Sequence, residues 1–226
     1  MRVPAAERAD MVGAVVRPLL RGWMHLVCFF LAVPAAVAMV ALASTPRARV
    51  GAAIYGIGLV GLFGVSGAYH RGPWSPAWKG RMQRLDHATI FVMIAGTYTP
   101  VCLLVLEGRT AVAVLVAVWA GAALGAVLAI VGSGRGIRTH YALYIALGWV
   151  ATAAMPQMLR NLSGPEVVLV VVGGLLYTVG AATLAFHWPD PFPRVFGYHE
   201  VWHTLVVIAV VCQFVALASV IADHGA

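Results

Sequence analysis

Charge is what this chain has least of. Fifteen Lys and Arg and eight Asp and Glu make up 10% of 226 residues, against roughly 25% in a soluble globular domain. With 62% hydrophobic residues and a mean hydropathy of +0.89, a water-soluble domain of any size is excluded. Cysteine is nearly absent too. Cys28, Cys102 and Cys212 fall in three different apolar stretches with no CxxC pairing, which argues against a disulfide framework and a thiolate metal site; they read as small apolar residues in the core or facing lipid. Short runs of alternating polarity, the mark of a membrane β-barrel, are missing. So are linkers, tandem repeats and low-complexity segments.

What the chain does have is long charge-free runs. Seven of them predict membrane-spanning helices at about 23–44, 50–70, 87–106, 111–132, 140–159, 167–187 and 200–221, each near the ~20 residues that a helix needs to cross hydrocarbon. The expectation is an all-α membrane protein, a seven-transmembrane helix bundle over residues 23–222, preceded by a short basic cytoplasmic tail, 1–22. The first run ends in Ala41-Leu42-Ala43, which resembles a signal-peptide cleavage site. It is too long for a signal h-region of roughly 7–15 residues and continues into a polytopic chain, so it reads as the first span.

The basic residues fall unevenly. Arg2, Arg8, Arg17, Arg21, Arg71, Lys79, Arg81, Arg84, Arg135, Arg138 and Arg194 lie on one side of such a bundle, and Arg47, Arg49, Arg109 and Arg160 on the other. This bias predicts a cytoplasmic N-terminus and an outside C-terminus in a multi-pass protein of the cell (plasma or inner) membrane. Topology and anionic headgroups account for the net charge of +7, and no nucleic-acid partner is implied. Pro34, Pro100 and Pro156 lie inside spans as sites of kinking. The small residues, including the Gly121/Gly125 GxxxG, predict close helix packing and leave a face on which a homo-oligomer can form.

The histidines carry the chemistry. His25, His70, His87, His140, His187, His199 and His203 all lie near the cytoplasmic ends of spans, with His224 at the other side. His25, His140 and His187 are expected to be interface groups. Ser66 and His70 are one turn apart at the end of span two, His199 and His203 one turn apart at the start of span seven, and Arg84-Leu85-Asp86-His87 puts a carboxylate at the same depth. Three imidazoles, His70, His199 and His203, can bind one divalent cation and leave a fourth position for water, the ligand set of a catalytic zinc. The all-nitrogen donor set favours Zn2+, although iron and manganese fit it as well. Asp86 then reads as general base towards the water, and Ser66 as a donor to that water or to an oxyanion. The plain alternatives are a headgroup-level pair of Asp86 with Arg84 or Arg81, and a Ser66 hydroxyl bonded to its own helix. His87 and Glu200 are candidates to orient the ligands from behind.

Together, SGAYH (66–70), RLDHATIFVMIAGTYTP (84–100), YIALGW (144–149), GGLLYTVGA (173–181) and FGYHEVWH (196–203) resemble the hemolysin III family, the bacterial branch of the progestin and adiponectin receptor superfamily, itself distantly related to alkaline ceramidases. RPLLRGWMH (17–25) is similar to that family's entry to the first span. The resemblance implies a seven-helix bundle with a cytoplasmic N-terminus and a zinc site near the cytoplasmic leaflet. It places the family's histidines on His70, His199 and His203, its aspartate on Asp86 and its serine on Ser66.

HEVWH also satisfies the HExxH pattern of zinc proteases, with Glu200 as base. The downstream candidates for a further ligand, Asp223 and His224, lie about 30 Å along the helix from His203, so the remaining ligand must come from upstream. That favours His70 and leaves Glu200 facing headgroups or Arg194. The leading expectation is therefore a zinc-dependent membrane hydrolase acting on a lipid amide or ester at the cytoplasmic leaflet, with the bilayer and a membrane lipid as its partners. The alternatives are a non-enzymatic membrane sensor, regulator or cytolysin whose zinc staples spans two and seven, and, less favoured, an intramembrane metalloprotease.

Overall fold

Two helices begin where a threonine or serine stands just before a proline. Thr45 Oγ1 accepts from Ala48 N at 3.3 Å ahead of Pro46, and Ser75 Oγ from Trp78 N at 3.4 Å ahead of Pro76. Ser163 and Glu166 form a reciprocal capping box. Such caps satisfy amides that a first turn leaves open, and proline there costs no hydrogen bond. The computed structural model describes residues 17–132 and 137–223. Their helices are α1 (Trp23–Leu42), α2 (Pro46–Arg71), α3 (Pro76–Leu104), α4 (Gly108–Val131), α5 (Ile137–Gly148), α6 (Met155–Asn161), α7 (Gly164–Phe186) and α8 (Tyr198–Asp223). A 3₁₀ segment, Trp149–Ala154, joins α5 to α6. Arg2, Arg8, Arg135 and His224, and the side chain of Arg138, lie outside the described residues.

Seven stretches are long and apolar enough to cross a membrane: α1 to α4, Thr139–Asn161, α7 and α8. The all-α, seven-span, multi-pass architecture is thus as expected, while two spans differ in detail. The third helix begins at Pro76 rather than near 87, so Asp86 and His87 lie about three turns inside it. Charge marks where hydrocarbon ends, whereas a capped helix continues into the headgroups, and Arg81 there lies 4.8 Å over the Trp78 ring.

The fifth span is broken rather than a single helix. Pro156 cannot donate to a preceding turn and crowds it, and the backbone passes through the 3₁₀ segment just before it. In hydrocarbon the freed backbone groups need other partners. Tyr98 supplies them, its hydroxyl donating to Gly148 O at 2.5 Å and accepting from Ala151 N at 2.8 Å. Trp149 Nε1 donates to Thr178 Oγ1 at 3.1 Å on the other side.

Neighbours in sequence pack together, α1 on α2, α2 on α3, α3 on α4 and α7 on α8, and α8 returns against α1 and α3. Tyr55, Phe91 and Leu217 are fully buried between them, whereas Val27, Phe30, Leu31 and Val37 of α1 point outward. Lipid is their solvent. The GxxxG face makes the close helix packing expected of it, within the chain. A Cβ on Gly121 would come within 2.7 Å of Leu147 Cδ1, and one on Gly125 would collide with the Phe91 ring. Gly125→Val should therefore lower the melting temperature in detergent, by an overpacking cost of about 1–3 kcal/mol, with no change in oligomeric state by light scattering. A variant that melts like wild type but changes its oligomeric state would put this face on the outside.

Candidate metal centre

Helix ends bring the histidines together. His70 occupies the last turn of α2, where Gly72 N and Trp74 Nε1 both donate to Ala68 O at 2.8 Å and stop the helix. Arg71 reaches back over the Trp23 ring at 4.5 Å, tying this end to α1. Gly22, with φ of +81° at the N-cap of α1, turns the preceding segment over the bundle. A Cβ at Gly22 would collide with Cβ of His70, so both the conformation and the contact require glycine.

The start of α8 is fixed as firmly. Glu200, 1% exposed, accepts from Gly197 N at 2.9 Å and pairs with Arg21. Asp190 Oδ1 accepts from Tyr198 N at 2.8 Å. Leu19 N and Leu20 N donate to Arg194 O and Val195 O at 3.0 and 3.1 Å, so residues 17–22 lie against the loop before α8. Glu200 is an N-terminal cap and an anchor for this segment. Its ionic partner is Arg21, not Arg194, and each of its oxygens is engaged, one by Arg21 and the other by Gly197 N.

His70, His199 and His203 converge. One nitrogen of each lies within 4.8 Å of the other two, and His199 Nε2 is 3.2 Å from His70 Nε2. Two nitrogens on one tetrahedral zinc at ~2.05 Å would stand ~3.4 Å apart. The three rings meet at 58° to 77° with centroids 4.5 to 5.2 Å apart, so they converge rather than stack. His203 is 1% exposed and its Nε2 has no partner among the described residues. A buried imidazole nitrogen without a partner is costly, and a cation held by the three is the partner that the arrangement fits.

Ser66 and Asp86 are 2% and 5% exposed, and Ser66 lies one turn from His70 on α2. Asp86 and Ser66 are hydrogen-bonding partners, and Ser66 Oγ is 2.8 Å from His25 Nδ1. Among the described residues Asp86 forms no ion pair with Arg84 or Arg81, the one pair there being Arg21 with Glu200. The expectation for His25 is overturned: it is no interface group but is 2% exposed, with its ring stacked on His203 at 3.8 Å and 8°. Its sequence signal was its place one turn into α1, at the depth of His70. Period and charge could not tell which way that turn faces.

The remaining histidines lie apart from the three. His87 has His140 as ring neighbour at 6.1 Å, and its carbonyl accepts from the Tyr144 hydroxyl at 3.0 Å. His140 is buried rather than at an interface, and its Nδ1 is unpartnered. His187 caps α7 in a left-handed conformation at φ of 55°, 4.5 Å from the Tyr198 ring.

A cavity of about 200 Å³ runs from this end into the bundle. His25, Ser66 and Asp86 form its polar end; Tyr98, Gly148, Trp149, Met158 and Gln213 lie along the rest. The break in the fifth span forms part of its wall. Outside the spans, partial burial and the like charges of Arg71 and Arg21 lower the Arg17 pKa from its ordinary value, a sign of the crowded cations at this rim.

A helical membrane bundle with three converging histidines beside a buried serine and aspartate is the class that fold and site define. The model of the family described as Haemolysin-III related matches residues 14–214, and the chain belongs to that family. It is 32% identical over 187 residues to Hemolysin-3 of Bacillus cereus, covering 81% of this chain and 82% of that one. To the Hemolysin-3 homolog of Bacillus subtilis strain 168 it is 36% identical over 130 residues, 57% of this chain and 58% of the other.

Removing the anchor and removing a ligand should separate. Glu200→Gln is expected to cost about 1–3 kcal/mol of stability by weakening a buried charged pair, read as a lower melting temperature, while bound metal by elemental analysis stays at the wild-type level. His203→Ala should lose the metal. Equal metal loss in both would place Glu200 on the ion.

Proposed function

We propose that this protein is a zinc-dependent membrane hydrolase that cleaves an acyl amide or ester of a lipid at the cytoplasmic leaflet. The observation that carries this reading is the polar end of an otherwise largely apolar cavity, where Asp86 and Ser66 lie with His25, whose ring stacks on His203 of the three-histidine cluster. A cavity of this make-up suits an acyl chain, whose carbonyl would rest at the end where the polar groups are. The N-terminus is proposed to be cytoplasmic, since Arg17, Arg21, Arg71, Arg81, Arg84 and Arg194 belong to the end of the bundle that carries the site.

His70, His199 and His203 would hold the ion. Zinc, when bound, supplies a Lewis acid that lowers the pKa of water towards ~7 and polarises a carbonyl. Asp86, buried and paired with no arginine among the described residues, accepts the proton of the attacking water and can return it to the leaving amine or alcohol. Ser66 was expected to hold the oxyanion; with its hydroxyl engaged by Asp86 and His25, we assign it to aiming the carboxylate. The apolar walls limit water to what the reaction uses.

A second reading has its own support. The cluster links the end of α2 to the start of α8, so an ion there would staple two helices in a sensor, a regulator or a cytolysin. Asp86→Ala separates the two. With dodecanoyl p-nitroanilide and p-nitrophenyl dodecanoate as probes in detergent, the hydrolase reading expects chelator-sensitive release of the chromophore, reduced about 10²- to 10⁴-fold in Asp86→Ala with zinc content unchanged. Turnover equal to wild type in Asp86→Ala would overturn it.

A further inference from the structure

His25 has no part in the chemistry above, yet it touches both halves of the site. Its ring is sandwiched by His203, stacked at 3.8 Å and 8°, and by Phe63, edge-on at 5.1 Å and 72°. Gly67 permits this approach: a Cβ there would stand 3.1 Å from Cα of Leu26, so any larger residue would push α1, and His25 with it, away from α2.

The hydrogen-bond directions follow from the inventory of donors. A carboxylate only accepts, so the Ser66 O–H points to Asp86 and leaves an Oγ lone pair. The contact to that lone pair is His25 Nδ1 at 2.8 Å, and with Asp86 ionised this nitrogen carries the proton. His25 Nε2 is left as a buried nitrogen with a lone pair and no partner. The chain of bonds runs from His25 Nδ1–H to Ser66 Oγ and from Ser66 O–H to the Asp86 carboxylate. It fixes the one rotatable hydroxyl between them.

We infer that His25 is a positioning residue: its Nδ1–H locks Ser66 and thereby the orientation of Asp86, while its ring sets the plane of His203. The first role acts on the base and the second on the metal. The consequence for turnover rests on the hydrolase reading; the tautomer and the stacking do not.

Two substitutions take the roles apart. His25→Asn keeps an N–H donor where Nδ1 stands and loses the ring. His25→Phe keeps the ring and loses the donor. Both are first checked for a wild-type-like melt and helical content. Release of p-nitroaniline from dodecanoyl p-nitroanilide is expected to fall about 10- to 100-fold in His25→Phe and much less in His25→Asn, whereas zinc retention against a chelator should weaken in His25→Asn and hold in His25→Phe. Equal loss of both properties in both variants would reduce His25 to packing and overturn the inference.

A readout independent of turnover uses protein with ¹⁵N-labelled histidine. His25, assigned by its absence from His25→Asn, should be the Nδ1–H tautomer, with a Nδ1 shift that moves in Ser66→Ala. An Nε2–H tautomer, or a signal indifferent to Ser66→Ala, would contradict the positioning role whatever the activity. Wild-type protein without zinc but with the Nδ1–H tautomer would instead overturn the zinc reading and leave the His25 network standing.

Discussion

A polar group inside hydrocarbon must find a partner in the protein, because neither lipid nor water is there to provide one. The arrangement of this bundle follows from that constraint. Where the fifth span breaks, Tyr98 takes up the freed carbonyl and amide. Glu200 is buried and doubly engaged, by Arg21 and by its own helix start. Ser66 links Asp86 and His25 in a line. Among the described residues two imidazole nitrogens are left over at this end, Nε2 of His25 and Nε2 of His203, and His203 is one of the three imidazoles that converge.

The line and the cluster are one unit because of helix geometry. Ser66 and His70 share a face of α2, one turn apart, so what fixes the hydroxyl also fixes the distance to the ion site. His199 and His203 repeat the spacing on α8. The approach of α1 at Gly67 then inserts His25 between the two pairs, bonded to the first and stacked on the second. The cavity opens from this unit along the break in the fifth span, so the irregular backbone of that span forms part of its wall. The proposed chemistry needs both: polar groups at one end and room for an apolar chain beyond it.

Much of the fold was legible because hydrophobic length is a strong signal. Seven charge-free runs gave seven spans, and i, i+4 spacing gave the pairs His199/His203 and Ser66/His70. The ends of helices were harder to read, since charge marks the water boundary while caps such as Ser75 and Thr45 mark the helix boundary; Asp86 accordingly lies deeper in α3 than its place in a charged run implied. The close packing expected at Gly121 and Gly125 is present, but which element packs there was not legible. GxxxG reports a close approach without saying which helix approaches, and here Phe91 and Leu147 fill the groove. His25 was the residue the sequence hid best, because its importance comes from the contact between α1 and α2, a property of packing that no period within α1 records.

The central claim is that His70, His199 and His203 hold one zinc ion with a position left open. X-ray absorption at the zinc edge on protein purified without added metal tests it most directly. The account predicts about one zinc per chain with three imidazole nitrogens at ~2.0–2.1 Å and a further light-atom ligand. A sulfur ligand, a first shell with fewer than three imidazoles, or no stoichiometric metal in carefully prepared protein would contradict it.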